Sequence, residues 1–409
     1  MMKFGRSMRS ILYLAVAGAV IASQAFAQTR KVSDEEVRKV HDSALLIDTH
    51  NDVTGETVKG LDIGPRRDKG HTDIPRLKEG GVGAVFFAAY VSTTFMQGNR
   101  SAHRALEMID TIRHGIVERY PRVFEFATTA DGIEAARKKG KIAALIGIEG
   151  GHAIEDSLAL LRTYYDLGVR YMTLTHSISH TWADSSGDAG KHNGLTPFGR
   201  EVVKEMNRLG MMVDISHVSD KTFRDVLAIS TAPVFASHSS CRSLSAIPRN
   251  MSDQMIAAMA KKGGTIHINF GCEFISQRSA DTSAWSNRAL RRKIEEAVEK
   301  EVSDPAKRKE LIAARVEAQA KAITRATLEE VALQIDHVVK IAGIDAVGIG
   351  SDFDGVGCTP AGVDDVSRFP ALTRVLLERG YTAEQIRKIY GGNLLRVMRA
   401  VERAAGGGR

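Results

Sequence analysis

Cysteine and aromatic residues are scarce in this chain: 3 cysteines and 2 tryptophans in 409 residues, with aromatics at 6%. Three thiols, Cys241, Cys272 and Cys358, cannot frame a disulfide-built fold, and no Cys-x-x-Cys is present to hold a thiolate zinc. In an exported chain they allow one bridge and one free thiol, in any pairing. Their apolar or site-adjacent neighbours fit small buried residues better. No Gly-x-Gly-x-x-Gly follows the first strand-like run, which argues against a dinucleotide-binding open sheet. Internal repeats and low-complexity linkers are also missing. The formal charge is +7, yet no basic patch is interleaved with aromatics. Much of the charge sits in the amino-terminal leader and in the mixed-sign stretch from Arg288 to Arg325, so no nucleic-acid partner is expected.

What is present begins with a leader. Lys3, Arg6 and Arg9 precede an apolar run from Ile11 to Ala22, and Ala25-Phe26-Ala27 is a small-residue cleavage site. This predicts a signal peptide over residues 1–27, a mature start at Gln28, and a periplasmic or secreted protein. The apolar run is short for a membrane anchor, and no cysteine follows it for lipidation. The ending Ala404-Ala405-Gly406-Gly407-Gly408-Arg409 lacks the hydrophobic tail of a glycolipid-anchor signal.

Residues 28–409 then read as one domain. Ser33 opens a first helix that runs to about Ala44. Eight apolar runs follow: Leu45–Thr49, Ala84–Val91, Ile142–Ile148, Tyr171–Thr175, Met211–Ser216, Val234–Ser237, Thr265–Asn269 and Ala346–Gly350. They do not alternate, as befits strands buried on both faces. Helical periods separate several of them: 102–119, 157–167, 197–209, 220–229 and 252–261. The alternation predicts an α/β fold, a (β/α)8 TIM barrel, with a solvated helical insertion between the seventh and eighth strands from Ala284 to Ala342. A last helix, Thr382 to Ala404, is interrupted by Gly391-Gly392.

Six of these runs lead into a polar residue suited to metal or proton chemistry. They end in His50-Asn51-Asp52, Glu149, His176, His217, His238 and Asp352. Barrels keep their chemistry at the C-terminal ends of their strands, and imidazoles with carboxylates suit zinc or a similar ion. The set reads as a metallohydrolase. Singly, each residue has a plainer reading. His50-Asn51-Asp52 fits a surface turn, Glu149 an acidic helix cap, and Asp352 with Asp354 a turn before Gly355.

The motifs Asp48-Thr49-His50-Asn51-Asp52, Gly147-Ile148-Glu149-Gly150-Gly151-His152, Leu174-Thr175-His176, Trp182-Ala183-Asp184, Asp214-Ile215-Ser216-His217, Ser237-His238-Ser239-Ser240, Pro248-Arg249-Asn250 and Gly350-Ser351-Asp352-Phe353-Asp354-Gly355 resemble those of the membrane (renal-type) dipeptidase family. The likeness runs from about Leu45 to Arg399. It implies two zinc ions per chain, one on His50 and Asp52, one on His217 and His238, with Glu149 bridging. It further implies His176 at the scissile carbonyl oxygen and Arg249 on the substrate's terminal carboxylate. Asp352 would meet the amino group and shuttle the proton. The implied reaction is hydrolysis of free dipeptides, tolerant of a C-terminal D-residue, by a hydroxide held between the ions. A homodimer fits the family as well. The segment Asn269-Phe270-Gly271-Cys272-Glu273-Phe274 departs from mammalian members, which also carry tyrosine there, so no substrate contact is carried over to it. Competing readings are another amidase, lactonase or β-lactam hydrolase on the same scaffold, or an exported binding protein. Binding alone needs no bridging carboxylate beside four further metal-type ligands.

Overall fold

Short, largely apolar runs with no solvent-facing side form the sheet. The strands are Leu46–Asn51 (β1), Val82–Tyr90 (β2), Phe124–Phe126 (β3), Ile142–Glu149 (β4), Val169–Thr173 (β5), Met212–Asp214 (β6), Phe235–Ser239 (β7), Thr265–Ile268 (β8) and Val347–Ile349 (β9). This computed structural model describes Met1 and residues 31–320 and 322–406. Apart from Met1, the segment read as a signal peptide lies outside the described residues. All strand pairs are parallel, in the order β1-β2-β4-β5-β6-β7-β8-β9, with β3 added beside β4. The seam between first and last strands closes just beyond β9. There Asp352 N donates to His50 O at 3.0 Å and Asp52 N to Phe353 O at 2.9 Å. The result is the expected (β/α)8 barrel. The eight anticipated strands are all present, and the three-residue β3 is additional.

Helices begin where a short polar side chain caps the first turn. Ser33, Thr129, Ser157, Thr196, Ser219 and Ser252 each accept a backbone N–H three residues on. Helix 197–209 also has proline in its first turn and ends on Gly210 at φ 82°, a left-handed position that glycine adopts freely. The helix expected over 102–119 is α-helical only over Ser101–Asp110 and widens to a π-helix over Thr111–Glu118.

The solvated insertion is shorter than expected. In helices Arg288–Glu301 and Pro305–Ala320, Val298 alone is buried among the residues described. Helix Leu328–Ala342 instead buries Val331, Ala332, Ile335 and Val338 and packs on β8 and β9 as a barrel helix. Its apolar stripe recurs at helical spacing, so burial follows pattern rather than the charge of its neighbours.

Inside the barrel a row of rings forms a floor. Phe86 and Tyr171 have centroids 5.2 Å apart, Tyr171 and Phe235 5.4 Å, and Phe235 and His267 5.7 Å. Gly147 makes room for this row, since a Cβ there would lie 1.9 Å from Tyr171 Cζ. The floor confines chemistry to the C-terminal mouth. At that mouth Cys272 and Cys358 form a disulfide, while Cys241 is free and buried. The view of all three as small buried thiols therefore holds for Cys241 alone. The bridge depends on two loops meeting, which spacing does not reveal. No helix among the described residues is long and apolar enough to cross a membrane.

Candidate active site

The strand-end residues converge as their positions require. Glu149 closes β4 and stands at the centre. Its Oε1 lies 2.9 Å from His217 Nε2, 3.2 Å from His238 Nε2 and 3.8 Å from His176 Nε2. Its Oε2 lies 3.5 Å from His50 Nε2, which is 3.2 Å from Asp52 Oδ2. His217 and His238 bring their Nε2 atoms within 3.0 Å of each other. His217 and Asp352 adopt left-handed backbone at φ 68° and 60°, a strained conformation that clusters at functional sites.

Hydroxyl relays assign the imidazole tautomers. Tyr171 donates its hydroxyl to Thr49 O at 3.1 Å, so it accepts from His50 Nδ1 at 2.8 Å. The proton on Nδ1 is then fixed, so Nε2 is the atom turned to the carboxylates, a lone pair when a cation lies there and an N–H when none does. That atom is buried, lacks a hydrogen-bond partner and faces the carboxylates of Asp52 and Glu149. Likewise Ser237 donates to Asp214 Oδ2 at 2.6 Å and accepts from His238 Nδ1 at 2.7 Å. This leaves His238 Nε2 bare toward His217 and Glu149. Lone pairs opposed to carboxylate oxygens repel unless a cation lies between them.

The electrostatics agree. Burial, then the charge of Arg249 for His217 and of His50 and Arg249 for His238, holds both well below the ordinary imidazole range, so both are neutral donors. Burial would lower His50 too, but Tyr171, Asp52 and Glu149 pull it well above that range. The pocket calls for positive charge at Nε2. Three overlapping sets have donor atoms within 4.8 Å of one another: His50, Glu149 and His238; Glu149, His176 and His217; and His50, Asp52 and Asp352. The imidazole–carboxylate composition fits divalent ions. All five expected ligands are therefore together, and His176 and Asp352 also come within reach.

The other two site residues bracket this cluster. Arg249 is buried, with Nη1 on Ser239 Oγ at 2.7 Å and Nη2 on His238 O at 2.6 Å, while its Nε has no partner. Burial brings it down to about 10, which keeps it cationic at neutral pH. Asp352 accepts from Asn269 Nδ2 at 2.7 Å. Burial and then the charge of Asp52 raise its carboxyl well above the usual range.

Several contributors were not anticipated. Tyr171, Ser237 and Asp214 orient the imidazoles, and Asp48 takes Ser351 N at 2.8 Å and Ser351 Oγ at 2.6 Å beside Asp352. Tyr90 ends β2 in register with Glu149 and packs on His176 at 4.7 Å. A polar-tipped residue closing the second strand was its signal. Three of the other histidines serve structure. His41 reaches Thr373 and Gly80 O, His180 reaches Leu174 O, and His192 reaches His180 O.

A parallel barrel with imidazoles and carboxylates converging on one mouth defines a metal-dependent hydrolase. The family model for membrane dipeptidase (Peptidase family M19) matches residues 34–407. The chain is 38% identical over 374 residues to dipeptidase verJ of Clonostachys rogersoniana, covering 87% of this chain and 84% of that one. The probable dipeptidase PvdM of Pseudomonas aeruginosa superposes with a TM-score of 0.80 at 25% identity, over 91% of this chain and 98% of that chain. A metallo peptidase of Rhodobacter sphaeroides, solved with a phosphinate mimic of L-Ala-D-Ala, superposes at 0.71 with 26% identity, over 88% and 99%. The chain belongs to the membrane dipeptidase family, and it is a metallo-dipeptidase.

Proposed function

We propose that this chain is a two-zinc dipeptidase that cleaves free dipeptides, including those with a C-terminal D-residue. The observation that carries the metal assignment is His50 Nε2, buried, unpartnered and aimed at two carboxylates. His50 and Asp52 would hold one ion and His217 and His238 the other, with Glu149 serving both. Metal bound there would supply a nucleophilic water at neutral pH and Lewis acidity at the scissile carbonyl.

The chain's own groups do the rest. Arg249 presents its free Nε–H and remaining Nη hydrogens to the substrate carboxylate. His176 donates to the developing oxyanion. Asp352 is held on one oxygen by Asn269. Its other oxygen takes the proton that the attacking water gives up and passes it to the departing amine. The phosphinate complex of the Rhodobacter sphaeroides relative supports a dipeptide of this type as substrate. The proposal includes export as one barrel domain after loss of residues 1–27. The Cys272–Cys358 bridge supports an oxidising compartment.

The test is elemental analysis together with turnover of Ala-D-Ala, an L,L dipeptide, a tripeptide and an amino-blocked dipeptide. Two zinc equivalents with turnover confined to free dipeptides are expected. In Arg249→Lys, kcat/KM should fall about 30-fold or more, because a point charge replaces a forked donor. Equal rates on a tripeptide and its dipeptide core would overturn the two-ended clamp.

A further inference from the structure

Two sizeable apolar clusters fill the barrel and surround it. A third, of Ile247, Phe274 and Ala280, stands apart from both, with Val356 packed against it. Its members come from the three segments that follow β7, β8 and β9 at the mouth. Ile247 lies two residues before Arg249, Phe274 follows β8, and Val356 lies four residues after Asp352. The cluster thus sits among the loops that carry the substrate clamp.

Ring contacts link it to Arg249 and to solvent. The Arg249 guanidinium carbon lies 5.6 Å from the centroid of Phe274. Phe274 meets Trp285 edge to face at 5.3 Å, and Trp285 is 47% exposed. An indole exposed to this degree is one of few large apolar side chains that the described surface leaves open. The ladder Arg249–Phe274–Trp285 therefore runs from the buried cation to the surface.

The wall is built in advance. Asn250, next to Arg249, donates to Phe274 O at 2.8 Å, and Ser245 donates to Glu273 O at 2.6 Å. Gly271 leaves the space that the wall uses, since a Cβ there would lie 2.5 Å from the Phe274 ring and 2.9 Å from Val356. The segment bearing Trp285 is tied to the charged insertion: Ala284 N donates to Gln319 Oε1 at 2.7 Å. Helix Pro305–Ala320, otherwise a solvated excursion, is thereby a brace for this wall.

We propose that Phe274, Trp285, Ile247 and Val356 form a subsite for the side chain of the dipeptide's C-terminal residue, selecting apolar and aromatic side chains. The inference rests on the reading of Arg249 as the carboxylate clamp. A carboxylate held there fixes the carbon next to it, so the side chain on that carbon emerges beside the ring covering the guanidinium. An apolar wall discriminates by the area it covers, and the hydrophobic increment across one to several methylenes is worth about 10- to 200-fold.

Steady-state kinetics on Ala-Gly, Ala-Leu and Ala-Phe, and on the reversed set Leu-Ala and Phe-Ala, test it. In Trp285→Ala the ratio of kcat/KM for Ala-Phe over Ala-Gly should fall about 10-fold, and Trp285→Phe should restore most of it. An unchanged ratio in Trp285→Ala would overturn the subsite. A change confined to Leu-Ala and Phe-Ala would overturn it too, by moving the wall to the amino-terminal residue. Wild-type enzyme inert toward every dipeptide would strike instead at the dipeptidase reading beneath it.

Discussion

The two halves of the site are held by different means. The imidazole–carboxylate cluster lies on the strand ends or within three residues of them and is oriented by strand residues: Tyr171 of β5 on His50, and Ser237, itself held by Asp214 of β6, on its β7 neighbour His238. Arg249 and Asp352 stand in the segments after β7 and β9: His238 O and Ser239 Oγ hold Arg249, Asn269 holds Asp352, and the Cys272–Cys358 bridge ties the segments after β8 and β9 together. The first arrangement sets proton positions on rigid frames, which a metal centre requires. The second sets the span between Arg249 and Asp352, which on the proposed reading a substrate measures. Variants on the strand side should therefore change metal content, and those on the loop side should leave it intact.

The largest effect is expected at Glu149. Glu149→Gln removes the charge shared by the surrounding imidazoles, and turnover should fall by at least about 1,000-fold, more than one lost hydrogen-bond donor. Zinc analysis should show fewer than two equivalents; full occupancy with full rate would break the comparison. His176→Ala comes next, with turnover falling about 100- to 1,000-fold while both ions remain. Loss of an ion there would move His176 into the metal half, where its 3.8 Å approach to Glu149 already brings it close. Ser237→Ala deletes the relay to His238 Nδ1 and should weaken zinc affinity about 10- to 100-fold, read by chelator competition. The smallest change in turnover belongs to Cys272→Ser with Cys358→Ser. It should lower stability by about 2–4 kcal/mol and turnover only a few-fold, with zinc content unchanged. Loss of zinc in that double variant would mean that the loops also hold the metal half.

The same division governs what was legible beforehand. Every strand of the barrel wall shows as an apolar run, because burial on both faces leaves no polar alternation to confuse it. Strand-end ligands such as Glu149 and His238 were visible as polar stops to those runs. Tyr171 was not, since it meets His50 across the barrel, and Ser237, although next to His238 in sequence, is aligned for it by Asp214 on the neighbouring strand. Phe124–Phe126 is too short to show a period. Helix Leu328–Ala342 was absorbed into the charged stretch before it, although Val331, Ile335 and Val338 share one face. Its burial is decided by packing on β8 and β9 rather than by local charge.

The seam has a consequence for how the enzyme comes into being. His50 stands near the start of the described chain and Asp352 near its end, yet the backbone bond between them closes the barrel. A nascent chain that has reached Ile268 already carries all five groups assigned to zinc, but neither β9 nor the carboxylate assigned to the proton. Contacts so distant in sequence form late, because the intervening loop must close first. On the proposed assignment, every metal ligand therefore precedes in sequence the strand and the carboxylate that complete the mouth.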